Sequence, residues 1–277
     1  MALKITSAYE PLKVAAICTT IYSQPGLGKT SLAFTASNPL LFDFDHGAYR
    51  AVSRKDTVQV TDWEDVANVR AEDLEPYDTI VLDTVGKALD ALANDIIRKN
   101  PKMGYSGALN QQGWGQLGVR FSAFLRKMKG FGKDIVLLSH MDEKADGDSI
   151  KERLKISGGS KDLVLTDSDM IARISIHHKE RLLVFSPTET SFGKDPASFG
   201  EIPIPGSESP KFSGFLAEVI ASTKASLNAM SEEQTKHQVE VEWFENTLVD
   251  VTTPDQLNDL LGRAKQAGRD VSKMIVD

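Results

Sequence analysis

The sequence of 277 residues contains a single cysteine, Cys18. Neither a disulfide framework within the chain nor a cysteine-rich zinc site is open to it. It also lacks any apolar run near the roughly 20 residues that a membrane helix requires, so no membrane partner is expected. Met1 to Tyr9 is too polar for a signal peptide, which makes a reducing cytoplasm the expected compartment. Internal repeats and low-complexity tracts are absent. Aromatic residues are sparse at 7%, yet hydrophobic residues reach 41% and charged ones 26%. That balance excludes a wholly disordered chain and supports a sizeable core in about one to two domains.

The acidic surplus is unevenly spread. Of the net charge of −7, residues 231–277 carry −5, from ten acids against five bases, which leaves −2 for residues 1–230. A nearly neutral body of this kind can present a local basic face to a polyanion.

From Lys13 to Ser186, short apolar runs alternate with helical stretches, the pattern of a mostly parallel sheet flanked by helices. Val14–Ile21, Leu40–Phe44, Thr79–Val85 and Ile135–Ser139 read as strands buried on both faces. Between them the pattern predicts helices over Thr30–Ala36, Asp62–Leu74, Gly86–Lys99 and Trp114–Lys129. The second of these opens on a capping box, Thr61 with Glu64. Met170–Ile176 and Arg181–Phe185 flank His177-His178-Lys179-Glu180 and predict an antiparallel hairpin at one sheet edge. Pro187 to Ser213 reads as a surface segment. Helices follow over Gly214–Asn228, Glu232–Leu248 and Pro254–Ala267, the last with Thr253 as N-cap and Gln256 three residues on. The expected organisation is a domain over 1–228 and an acidic helical extension over 229–277.

Ser23-Gln24-Pro25-Gly26-Leu27-Gly28-Lys29-Thr30, followed by Ser31, stands between a strand and a helix. It matches G-x-x-x-x-G-K-[ST] except that Ser23 replaces the first glycine. Gly26 and Gly28 let the backbone curl so that successive N–H groups face phosphate oxygens. Lys29 reaches the outer phosphates of ATP, Thr30 ligates Mg²⁺, and the helix adds its positive N-terminus. Asp83, closing the apolar run Thr79–Leu82, is the expected second Mg²⁺ partner beside Thr30. Hydrolysis needs a group that orients water; Asp43 and Asp45 end the preceding strand, and Asp45 is the favoured base, the alternative being a pair of turn acids. His140 ends a third strand as a candidate nucleotide sensor, or as a strand-end histidine without a ligand.

In this order, Gly26-Leu27-Gly28-Lys29-Thr30, Phe42-Asp43-Phe44-Asp45-His46, Ile80-Val81-Leu82-Asp83-Thr84 and Val136-Leu137-Leu138-Ser139-His140 resemble the RecA-fold ATPases. The likeness is nearest to small phage-encoded RecA-like proteins of single-strand annealing and recombination. It spans roughly residues 13–200 and leaves out the acidic tail. The resemblance implies an α/β RecA-like P-loop core with a helical C-terminal tail, in the cytoplasm of a bacterial host. Asp45 falls at the position of the catalytic glutamate, and His140 where RecA has a nucleotide-sensing glutamine and the phage group has histidine. Ser191-Phe192-Gly193-Lys194-Asp195 resembles the segment whose lysines reach a neighbouring subunit's nucleotide. Lys194 is then either a finger acting in trans within a ring or filament, or a surface lysine.

Two loops beyond the sheet are candidates for single-stranded DNA. Lys99 to Gly118 is glycine-rich and holds Lys102, Tyr105 and Trp114, although Trp114 serves equally as core. Met141 to Lys161 holds Lys151, Arg153 and Lys155. Between them lie Arg120, Arg126 and Lys127, a phosphate-binding stretch or a solvated face. The function expected is an ATP-binding and ATP-hydrolysing protein that binds single-stranded DNA in recombination or strand annealing, as a homo-oligomer. The alternative is an ATP-dependent loader or regulator whose partner is a protein, such as a single-strand-binding protein docked on the acidic tail. A small-molecule kinase would need an arginine-rich lid between Asp83 and His140, and outside the basic stretch none is evident.

Overall fold

A computed structural model describes residue 3, residues 5–147 and residues 149–267. The last part of the acidic extension, 268–277, lies outside the described residues. In chain order the elements are β1 (Cys18–Ser23), α1 (Lys29–Ala33), β2 (Pro39–Asp43), β3 (Thr57–Gln59), α2 (Glu64–Ala67), β4 (Thr79–Asp83), α3 (Val85–Lys99), β5 (Gly104–Tyr105), β6 (Ala108–Leu109), α4 (Gln111–Gly130), β7 (Asp134–Asp146), β8 (Ser149–Leu154), α5 (Ser160–Asp167), β9 (Met170–His177), β10 (Glu180–Val184), β11 (Glu201–Pro203), α6 (Phe215–Val249) and α7 (Pro254–Ala267). They form two compact units, Ala15–Lys224, and Met1–Val14 with Ala225–Asp277.

The larger unit is built on one sheet in the order β11-β10-β9-β1-β7-β4-β2-β3. From β9 to β3 every neighbour is parallel, while β10 and β11 are antiparallel additions at one side. This is a mostly parallel sheet with antiparallel strands at one edge, as the sequence pattern predicts. Alternate residues explain why the strands read as unbroken apolar runs. Phe42, Ile80, Leu82, Ile135 and Leu137 face a core shared with Leu92 and Ile96 of α3 and Phe121 and Leu125 of α4. The intervening Ile21, Leu41, Val81, Val136 and Leu138 are fully buried as well. Both faces of the sheet are therefore dry, as parallel strands require.

Departures from the pattern include three with a clear physical cause. The helix expected over Asp62–Leu74 is reduced to α2 and a single 3-10 turn at Glu72–Leu74. Asp65, rather than Glu64, accepts the N–H groups of Thr61 and Asp62, at 2.8 and 3.0 Å. Trp63 is buried there, edge-on to Phe124 at 5.1 Å between ring centres and stacked near Phe44 at 6.3 Å. Tertiary packing of one large ring has overridden helix propensity. Second, β7 does not stop at Ser139. Its outer half leaves the parallel sheet and pairs with β8, from Met141 opposite Leu154 to Asp146 opposite Ser149. Third, the two helices expected over 214–248 are one, α6, because Asn228-Ala229-Met230-Ser231 holds neither glycine nor proline to break it.

In the smaller unit, Phe244 of α6 packs with Leu260 and Ala264 of α7. The start of α7 is capped as its sequence predicts: Gln256 Oε1 accepts from the Thr252 and Thr253 N–H groups at 3.0 and 3.1 Å. The Arg263 guanidinium lies 4.3 Å from the centre of the Trp243 ring. Among the described residues no helix is long and apolar enough to cross a membrane.

Candidate nucleotide site and its surroundings

The sheet order brings the chemistry together. β7 lies between β1 and β4, and β4 lies next to β2, so Ser23, Asp83 and Asp43, each ending its strand, lie on the same side as His140, where β7 leaves the parallel sheet. The loop after β1 contains two left-handed glycines, Gly26 at φ 84° and Gly28 at φ 82°. Only glycine adopts these angles without strain. Lys29 is buried, and its ammonium donates to Ser23 O, Ser23 Oγ and Gln24 O, each at 3.2 Å. Ser23, where the motif has glycine, thus supplies the lysine with a hydroxyl acceptor. Burial lowers the Lys29 pKa from its ordinary value, against the pull of Asp83 and Asp45.

Thr30 Oγ1 donates to Asp83 Oδ2 at 2.6 Å. Burial pushes the Asp83 carboxyl up to about 6, the Thr30 hydrogen bond opposing it. This donor set fits ATP with Mg²⁺. A buried ammonium whose partners are neutral oxygens suits added phosphate charge, and a hydroxyl beside a carboxylate that burial penalises suits a hard divalent cation.

Asp43 and Asp45 separate cleanly. Asp43 is buried and accepts from the Gly47 and Ala48 N–H groups, at 3.1 and 3.0 Å, so it caps the turn after its strand. Asp45 is half-buried, and its N–H bonds to Asp83 O at 3.1 Å. Its Oδ2 lies 3.7 Å from His140 Nε2. Burial lowers the His140 pKa, the Lys29 charge adding to that and Asp45 opposing it. His140 is therefore neutral near pH 7, with Nδ1 buried and unpartnered among the described residues.

Other sequence candidates land elsewhere. Ser31 Oγ accepts from the Val52 N–H at 3.0 Å, holding a neighbouring loop. Gln24 Nε2 donates to Glu143 Oε1 on β7 at 2.7 Å, tying the loop to the β7–β8 hairpin. Pro25 and Gly26 are exposed at the loop's crest. Lys194 Nζ donates to Ser168 O at 2.6 Å, which commits it within its own chain rather than to its own phosphate loop. Arg181 of β10 was unmarked by any motif, yet it reaches the loop: its Nη1 donates to Leu27 O at 3.2 Å. Nothing local in the sequence signals that contact across 154 positions.

The stretch from Lys99 to Gly118 is not one loop. Asn110 accepts from the Gly113 N–H at 3.0 Å and starts α4 at Gln111. Trp114 sits in α4, partly buried against the core. Tyr105, in the small β5–β6 hairpin, is 81% exposed, and Lys102 is exposed before it. Arg120 donates to the buried Asp95 at 2.7 Å, Arg126 Nε to Ser122 O at 3.2 Å and Lys127 to Ala67 O at 3.3 Å. Those three cations are engaged in holding α4. On the β7–β8 hairpin, Asp142 opposite Arg153 and Lys144 opposite Lys151 share one face, and these two pairs bring three bases and one acid to it; the next pair on that face is Asp146 opposite Ser149. Lys155, just beyond β8, is exposed, and its N–H bonds to His140 O at 2.8 Å.

Residues 15–197 match the family described as AAA domain. No curated protein matches the sequence. Among solved structures, the RadB recombinase is similar at 13% identity and a TM-score of 0.39, over 64% of this chain and 84% of that one.

Proposed function

The chain belongs to the AAA-domain family of nucleotide-binding P-loop ATPases, and from that premise we propose that it is an ATP-hydrolysing, single-stranded-DNA-binding protein of recombination or strand annealing. The observation that carries the ATPase half is the meeting of Lys29, Thr30, Asp83, Asp45 and His140 at neighbouring strand ends.

Lys29 would hold the outer phosphates, and Thr30 with Asp83 would hold Mg²⁺. Bound there, Mg²⁺ supplies charge neutralisation for phosphoryl transfer. Asp45 accepts a proton from the water that attacks the terminal phosphorus, as the bond to the leaving diphosphate breaks. Neutral His140 beside Asp45 orients that carboxylate. His140 also begins the outer half of β7, and Gln24 touches Glu143 farther along it, so the phosphate loop and the β7–β8 hairpin share two links.

The DNA half is supported by the exposed Tyr105 for base stacking and by the basic face with Lys144, Lys151 and Arg153. Lys102 and Lys155 extend the same chemistry; Trp114, Arg120, Arg126 and Lys127 support the helix behind it. A homo-oligomer with Lys194 acting in trans belongs to the same reading, and requires that Lys194 leave Ser168. The second reading, a protein-directed loader or regulator, is favoured by the acidic helical extension, whose Trp243 remains 40% exposed.

Binding of a fluorescent single-stranded oligonucleotide, with and without Mg-ATP at low and high salt, tests the proposal. Salt-sensitive binding that ATP modulates is expected. Absence of binding at low salt in both states would transfer the proposal to the protein-directed reading. Lys29→Ala should abolish nucleotide binding, and retained ATP affinity would remove the site assignment.

A further inference from the structure

Arg181 is held on three sides. Nη1 donates to the Leu27 carbonyl at 3.2 Å, Nη2 donates to the Pro205 carbonyl at 3.3 Å, and Cζ lies 6.0 Å from the centre of the Phe212 ring. Nη1 also stands 2.6 Å from where a Cβ on Gly28 would be. Glycine at 28 suits its left-handed backbone at φ 82°, and a Cβ there would displace the guanidinium from its place beside the loop.

The Leu27 carbonyl and the Gly28 N–H belong to one peptide unit. In a planar trans peptide they point in opposite directions. A donor that fixes the carbonyl on one side of the loop fixes the N–H on the other. Among the described residues no acceptor takes the Gly28 N–H. In a loop of this sequence that N–H is among those presented to phosphate oxygens. A guanidinium suits the task because it is always charged and its fork engages two carbonyls in one rigid geometry.

We propose that Arg181 is a positioning residue for phosphate binding: it locks the Leu27–Gly28 peptide so that the Gly28 N–H faces the phosphates of a nucleoside di- or triphosphate. The inference rests on the nucleotide reading of the loop. Arg181 acts through the backbone and adds affinity by ordering the loop before the ligand arrives. It also makes β10 part of the nucleotide site, although that strand is remote from the loop in sequence.

The test measures the affinities of the full-length protein, Arg181→Met and Arg181→Lys for Mg-ADP and for Mg-pyrophosphate by calorimetry, with melting temperatures alongside. Arg181→Met should weaken both ligands by about tenfold, the loss expected of one charge-assisted hydrogen bond. Arg181→Lys should weaken both by about threefold without a change in melting temperature, since an ammonium keeps a donor for Leu27 but cannot bridge to Pro205 as well. Arg181→Met binding within twofold of the wild type would overturn the inference. If Arg181→Met does not fold, Arg181→Lys with wild-type affinity would overturn it. Loss for Mg-ADP with pyrophosphate binding unchanged would also overturn it, because the residue would then act on the nucleoside. A wild-type protein that binds neither ligand would instead overturn the nucleotide reading on which the inference stands.

Discussion

At the scale of single residues, Asp83 ties stability to function through one proton. Its carboxyl is raised from an ordinary 3.8 to about 6, chiefly by burial. The fold therefore prefers the protonated form. The stabilising contribution is complete below 3.8 and is lost as pH rises through about 6. At pH 7.5 the ionised side chain then costs the ligand-free fold on the order of 3 kcal/mol at ~1.4 kcal/mol per unit. Asp83→Asn should raise the melting temperature of the nucleotide-free protein at pH 7.5 by several degrees, a gain that should vanish as pH falls below 3.8. It should also remove the Mg²⁺ dependence of nucleotide binding. Destabilisation at pH 7.5 would contradict the burial argument. Asp45 gives a separate test. Asp45→Asn should cut ATP turnover by at least about 100-fold while Mg-ADP affinity stays within about twofold, because a general base acts in the transition state alone. Equal losses in both would make it a binding residue.

The same scale shows what a sequence can and cannot disclose. Lys29, Thr30 and Asp83 were legible because phosphate chemistry dictates their spacing along the chain. The division of labour between Asp43 and Asp45 was half legible: alternation put them on one face, but only the N–H groups of Gly47 and Ala48 turn Asp43 into a cap. Arg181 was illegible, since nothing about an arginine opening a hairpin strand reveals which carbonyl it meets.

Among the elements, the parallel strands were read well because burial on both faces leaves apolar runs with few competing interpretations. The β7–β8 hairpin was missed because its residues, Asp142-Glu143-Lys144 against Lys151-Glu152-Arg153, are charged on both faces and carry no alternation of apolar with polar. That same composition gives the hairpin its place in the proposed function. Replacing Lys144 and Arg153 together by serine should weaken single-strand binding at low salt and make the log–log salt slope shallower by about 1.4, the amount expected for two phosphate contacts on a single strand. Tyr105→Ser should instead weaken binding with the slope unchanged, since stacking releases no counterions. A slope that moves with Tyr105 and not with the hairpin would reverse these assignments.

For the whole molecule, the boundary of the larger unit at Lys224 bears on which reading of function holds. Ala15–Lys224 contains every residue assigned to nucleotide and to DNA, and it buries Leu216, Val219, Ile220 and Thr223 from the start of α6. Thr223 Oγ1 donates to Met170 Sδ of β9 at 3.1 Å, and Lys224 pairs with Asp134 at 2.7 Å, so the helix is needed as far as these residues. The remainder of α6 and α7 contributes a small core around Phe244 and the surplus of negative charge. Truncation after Asn228 keeps the first part and removes the second. The shortened chain should bind Mg-ADP as the full chain does, and its single-strand affinity should stay equal or rise slightly at low salt, because an acidic segment near a polyanion is repulsive. Loss of strand binding with nucleotide binding intact would mean that the extension takes part in strand recognition and would overturn its separation from the DNA-binding unit; the protein-directed reading predicts instead that the full chain binds no strand and that truncation removes binding of the protein partner.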